Sequence, residues 1–100
     1  MIKIDVKEIN NEINHIKISG HSGYAESGYD IVCASVSSIA ITTVNALLSI
    51  NEDCLSYVEK DGLLEIDILK HDEIIDKILN NMLSMLEELS KEYKKYVKIN

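Results

Sequence analysis

The sequence contains no proline, tryptophan or phenylalanine, and tyrosine, 5% of the chain, is its only aromatic residue. A globular core therefore falls to Ile, Leu and Val, and a hydrophobic fraction of 46% is ample for one. With no proline to punctuate the chain, its turns must come from glycine and from Asn or Asp pairs. Cations are scarce as well: 10 Lys plus Arg stand against 17 Asp plus Glu, a formal net charge of −7. No basic stripe emerges, so a nucleic-acid partner is not expected. A solvated acidic surface that aids solubility, and would attract a basic protein partner, fits this balance better.

Other features are missing. The start Met1-Ile2-Lys3-Ile4-Asp5 has neither the apolar core nor the small-residue cleavage site of a signal peptide, which predicts a cytosolic protein. In that reducing compartment Cys33 and Cys54 are expected as thiols, and neither sits in a paired-cysteine zinc spacing. Residues Ile31 to Ile50 have about the length that spans a bilayer. They include Ser35, Ser37, Ser38, Thr42, Thr43, Asn45 and Ser49, and Asp30, Glu52 and Asp53 flank them. A buried small-residue helix fits better, with no membrane partner. There is no linker, internal repeat or low-complexity segment, so the 100 residues read as one domain, 1–100.

What is there alternates clearly. Ile2, Ile4 and Val6 interleave with Lys3, Asp5 and Lys7, Asn10-Asn11 offers a turn, and Ile16 and Ile18 flank Lys17. A second hairpin runs from Leu55 to Leu69 around Asp61-Gly62, a strong two-residue turn signal. From Asp72 the period becomes helical, placing Ile74, Ile75, Ile78, Leu79, Met82, Leu83, Met85, Leu86 and Leu89 on one broad face. Residues 96–99 suit a short closing strand. The order β-β-α-β-β-α(-β) predicts an α+β fold, a mainly antiparallel sheet with two helices packed on it.

Residues 20–30, Gly20-His21-Ser22-Gly23-Tyr24-Ala25-Glu26-Ser27-Gly28-Tyr29-Asp30, join a strand to a helix and hold three of the four glycines. Such a loop on a rigid scaffold is where function tends to sit. Asp30 is placed to cap the helix that begins at Ile31, and Cys33 falls in its first turn. There the helix dipole favours the thiolate, and free N–H groups, that of Ala34 included, could stabilise an oxyanion. The loop can bring His21 back to the sulfur as base, with Ser37 one helical turn beyond Cys33 and Asp30 as an alternative partner for His21.

Each residue also has a plain structural reading. Cys33 among Val32, Ala34 and Val36 can be a small buried hydrophobe. His21 can cap the loop, Ser37 can bond back along the helix and Asp30 can be a cap alone. A small metal-binding protein using His21 and Cys33 with Cys54 or His71 is a third possibility, although these residues are scattered. Cys54 reads as structural, His15 as a strand-face residue and His71 as a helix-start residue.

The run Gly20-His21-Ser22-Gly23-Tyr24-Ala25, continued by Gly28-Tyr29-Asp30-Ile31-Val32-Cys33-Ala34-Ser35-Val36-Ser37, closely resembles the ribosomal-processing cysteine proteases of bacteria, the Prp family. Ser22 stands where alanine is most often expected. The resemblance implies a homodimeric endopeptidase, without a cofactor, that removes an N-terminal extension from the twenty-seventh large-subunit ribosomal protein. The extension would otherwise obstruct the peptidyl transferase centre, and the cut follows an aromatic residue. Carried over, the nucleophile matches Cys33 and the base His21, with Asp30 and Ser37 in support. Residues 22–29 are then expected to be mobile when empty and to close over substrate, with Gly20, Ser22, Gly23, Tyr24 and Gly28 as the substrate loop. A noncatalytic ribosome-assembly or interaction module is the competing class.

Overall fold

A computed structural model describes residues 1–26 and 30–100. Its elements are β1 (Ile2–Ile9), β2 (Glu12–Ser19), α1 (Ile31–Ile50), β3 (Leu55–Lys60), β4 (Leu63–Ile68), α2 (Glu73–Glu92) and β5 (Val97–Ile99). Both hairpins form where alternation and turn chemistry place them. Asn10 and Asn11 take φ of 53° and 65°, and this pair of left-handed residues matches the twist of β1 and β2. Within this hairpin Lys7 faces His15 but Glu8 faces Ile13, so Asn14 is passed over in the ladder. That bulge lets Ile13 and Ile16 both point inward although three residues apart, an inward residue that the alternation of Ile16 and Ile18 alone does not reveal.

The two hairpins join through β2 and β4 into one sheet of order β3-β4-β2-β1-β5. Three of its ladders are antiparallel, and β5 adds in parallel beside β1. The α+β expectation therefore holds, with one parallel edge.

Helix α1 lays Val32, Val36, Ala40, Val44 and Leu47, spaced three or four apart, into the cluster that holds Ile2, Ile4, Ile16, Ile18, Leu64 and Ile66 from the sheet. It is long and apolar enough to cross a membrane, and here this buried stripe packs on the sheet. Helix α2 starts at Asp72, whose side chain accepts from the Ile75 N–H at 2.8 Å, and buries Ile75, Leu79, Met82 and Leu86. Its apolar face is narrower than the periodicity suggests, because Ile74 and Met85 lie on the exposed side. Cys54 is fully buried at the start of the second hairpin, its sulfur 3.6 Å from the Leu47 carbonyl oxygen. With both helices filling one face of the sheet, the end of β2 and the start of α1 meet at one end of this core.

Candidate active site

Strand β2 hands the chain to Gly20, at φ +90°, where a Cβ would stand 2.5 Å from the Met1 carbonyl oxygen. Any larger residue would have to displace the backbone that leads into β1. The Gly20 N–H donates to the Gly62 carbonyl at 2.9 Å, which ties the loop's first residue to the β3–β4 turn. His21 follows, exposed, with its Nε2 3.0 Å from the point a Cβ on Gly62 would occupy. The imidazole thus rests on the bare backbone of that turn.

Ser22 then points inward and is the one buried polar side chain among the described residues, 3% exposed. Its hydroxyl donates to Asp30 Oδ2 and accepts from the Tyr24 N–H at 3.0 Å. Its own N–H donates to Cys33 Sγ at 3.3 Å. Two residues on, Tyr24 stands edge-on to Tyr93 and Tyr96, with ring centroids 5.9 and 5.1 Å away. The described part of the loop is therefore held at Ser22 and at Tyr24, with exposed Gly23 between them. Gly28, and with it residues 27–29 of the segment expected to move, lies outside the described residues.

Asp30 is the N-cap of α1. Its Oδ1 accepts from the N–H groups of Val32 and Cys33 at 3.0 and 2.9 Å, while Oδ2 takes the Ser22 hydroxyl. Burial alone would raise the Asp30 carboxyl, but hydrogen bonds from Ser22, from the Cys33 backbone and side chain and from Val32 outweigh it and hold the group below its ordinary value. Of the two roles open to Asp30, the structure shows the cap, with Oδ1 engaged at the helix start and Oδ2 by Ser22 of the loop. The Ala34 N–H donates to the Asp30 carbonyl at 3.1 Å. The amides of Val32, Cys33 and Ala34, from which an oxyanion site was expected, are thus already engaged.

Cys33, half-buried in the first turn of α1, opens onto a cleft of about 330 Å³ that His21 and Ser37 also line. Apolar side chains of Ile2, Ile18, Val36, Ala40 and Leu64 form its floor, and Glu59, Lys60, Asp61 and Gly62 form the opposite wall. Sulfur, imidazole and an apolar depression share one solvent-open space. A nucleophile, a base and a place for an apolar side chain are the parts that covalent acyl transfer requires.

The scattered metal set is not brought together. Among the described residues, the three side chains of ligand type with donor atoms within 4.8 Å of one another are Glu12, His71 and Asp76, and neither His21 nor Cys33 belongs to that group. His71 Nδ1 lies 2.7 Å from Asp76 and 3.3 Å from Glu12, and Cys54 is enclosed by the core. His15 sits on the sheet's outer face between Glu65 and Asp67.

Three parts of the site escaped the sequence reading. Gly62 reads there as a turn residue, yet it floors His21; the hairpin tip reads as a connection, yet it forms a wall. Tyr93 and Tyr96, far along the chain, hold Tyr24. No local signal marks any of them, because each depends on which strands pair. Ser22 reads in the sequence as a small residue of the substrate loop, and its hydroxyl bond to Asp30 is set by the fold of that loop onto α1.

The chain matches, over residues 1–98, the family model described as cysteine protease Prp. The ribosomal processing cysteine protease Prp of Staphylococcus aureus strain Mu50 is 28% identical over 105 residues, covering 100% of this chain and 98% of that protein. Among solved structures, an essential ribosomal processing protease Prp from S. aureus in complex with a covalently linked product peptide aligns with a TM-score of 0.94 at 26% identity, over 100% of this chain and 98% of that one. The same protease in complex with a substrate peptide aligns with a TM-score of 0.88 at 25% identity, again over 100% and 98%.

Proposed function

The chain belongs to the cysteine protease Prp family and is a cysteine protease, and from that premise we propose that Cys33 and His21 form the dyad that removes the N-terminal extension of the twenty-seventh large-subunit ribosomal protein. The observation that carries this reading is the opening of the Cys33 sulfur and the His21 ring onto one cleft at the start of α1. Further support comes from the S. aureus relatives, which are described as ribosomal processing proteases and were captured with product and substrate peptides. A single domain, 1–100, carries the activity in the cytoplasm.

In this mechanism the Cys33 thiolate adds to the scissile carbonyl, forming a C–S bond and a tetrahedral oxyanion. Protonated His21 gives its proton to the leaving amine as the C–N bond breaks, which leaves a thioester. His21 then takes a proton from water, whose oxygen attacks the thioester, and the acid and the Cys33 thiol are released. The positive end of α1 beneath the sulfur favours both anions, and Asp30 tempers that field while it fixes the helix start. Ser37, one turn further along α1, borders the substrate.

The apolar floor of the cleft supports cleavage after an aromatic residue, whose ring would cover Ile18, Val36 and Leu64. Exposed Tyr57 and Val58 on edge strand β3 support pairing with a second copy as a homodimer. Incubation with the extended ribosomal protein tests the reading. The wild-type protein should trim it, Cys33→Ala should not, and His21→Ala should slow trimming by at least about a hundredfold. Trimming by the Cys33→Ala protein would end the proposed dyad, and failure of the wild-type protein to trim would overturn the proposed substrate.

A further inference from the structure

Three amides of the helix start are engaged: Val32 and Cys33 donate to the Asp30 carboxylate and Ala34 to the Asp30 carbonyl. A different amide reaches the sulfur. It belongs to Ser22, eleven residues before Cys33 in the chain and 3.3 Å from Sγ across the loop. We propose that Ser22 is a positioning residue, whose hydroxyl, locked to Asp30, holds its own backbone N–H on the Cys33 sulfur as the donor that steadies the thiolate.

Three features support the assignment. Ser22 is almost fully enclosed, so its hydroxyl needs internal partners, and it has two: Asp30 Oδ2 as acceptor and the Tyr24 N–H as donor. Those bonds anchor the Ser22 side chain at the helix start and to the Tyr24 amide, which restrains the residue that carries the N–H. An amide already aimed at an anion's position requires no reorganisation when the charge forms, which is where such donors act most strongly. The hydroxyl has a second effect. By donating to Oδ2 it disperses the negative charge of Asp30, the anionic group at the helix start beside Cys33.

This inference deepens the reading of Cys33 as nucleophile and rests on it. The titratable and charged groups around the sulfur are His21 from the loop, Asp30 from the helix start, and Glu59, Lys60 and Asp61 from the facing hairpin; Ser22→Ala removes a hydrogen bond from Asp30 and touches none of the others directly. Removing the hydroxyl should let the amide drift. Alkylation of Cys33 by iodoacetamide at about pH 6.5 should slow about three- to tenfold, whereas at about pH 9.5, where a thiol ionises without assistance, the two proteins should converge. Peptide cleavage should lose kcat with KM within about twofold, and Ser22→Thr, which keeps the hydroxyl, should recover most of both.

A measurement on the unaltered protein runs beside these variants. The Ser22 amide proton should move downfield in NMR spectra as Cys33 ionises, and that movement should vanish in Cys33→Ala. An amide that ignores Cys33, or alkylation of Ser22→Ala that matches wild type at both pH values, would overturn the assignment. If instead Cys33→Ala still cleaved peptide, the nucleophile itself would be wrong, a failure these arms keep separate.

Discussion

Gly20 and Gly62, 42 positions apart in sequence, meet through a 2.9 Å hydrogen bond from the N–H of the first to the carbonyl of the second. That bond joins the loop carrying the proposed base to the hairpin turn that supports it. The imidazole of His21 lies where a side chain on residue 62 would begin.

Gly62→Ala should therefore act on His21. The new Cβ meets Nε2 at 3.0 Å, and φ of +71° strains any residue with a side chain, at about 1 kcal/mol. The ring is the softer party and should swing away. Steady-state kinetics should show kcat reduced about tenfold or more, since a misplaced base loses general-acid and general-base assistance, with the thermal midpoint lowered by only a few degrees. An unchanged kcat would separate the turn from the site.

Gly20→Ala should be harsher, and in stability. Its Cβ would lie 2.5 Å from the Met1 carbonyl oxygen, a backbone atom that cannot step aside without moving the entry to β1. A loss of about 2–4 kcal/mol in denaturant unfolding is expected.

The two cysteines should differ sharply in reactivity. Burial pushes the Cys54 thiol up, and the side chain is closed off by the core. Cys33 faces the cleft. With iodoacetamide at about pH 6.5, mass spectrometry of the folded protein should find the label on Cys33 well before Cys54, and the difference should disappear in denaturant. His21→Ala should blunt the Cys33 rate.

Asp30 should make stability depend on acid. Its folded carboxyl is held below the ordinary value, so the unfolded chain binds a proton first as pH falls. The stabilisation is complete above the unfolded pKa of about 3.9 and is lost as pH drops through the lower folded value. Asp30→Ala should cost about 1 kcal/mol near neutrality, as caps do, and the gap from wild type should narrow as pH falls through the lowered folded value. Melting curves at several pH values check the sign.

Tyr24 should govern how tightly the described loop is held. Its edge-on contacts with Tyr93 and Tyr96 are worth about 0.5–1.5 kcal/mol each, so Tyr24→Ala should speed hydrogen exchange at the amides of Ser22 and residue 24 about tenfold. Substrate peptide should slow exchange at the same amides in the wild-type protein. Protection indifferent to both changes would place the clamp elsewhere.

Much of this was legible in the chain itself. Alternation at Ile2, Ile4, Ile16 and Ile18, the Asn10-Asn11 and Asp61-Gly62 turns and the cap at Asp30 are local features, each set by sterics within a few residues, and all appear where expected. The motif from Gly20 to Ser37 named the candidate pair. Less legible were the Asn14 bulge and the exposure of Ile74 and Met85, since each depends on what packs or bonds across the fold.

Sequence alone determined the elements, because hydrophobic period and turn chemistry act over a few bonds, and its motif singled out Cys33 and His21 as the proposed thiol and imidazole pair. Tertiary structure decided the rest. Pairing of β2 with β4 brought Gly62 beneath His21, docking of the C-terminal turn set Tyr93 and Tyr96 against Tyr24, and the fold of the loop onto α1 laid the Ser22 amide on the Cys33 sulfur. Contacts between residues 11 to 72 positions apart carry no local signature, and they exist only when burial of the shared core makes their closure entropy worth overcoming.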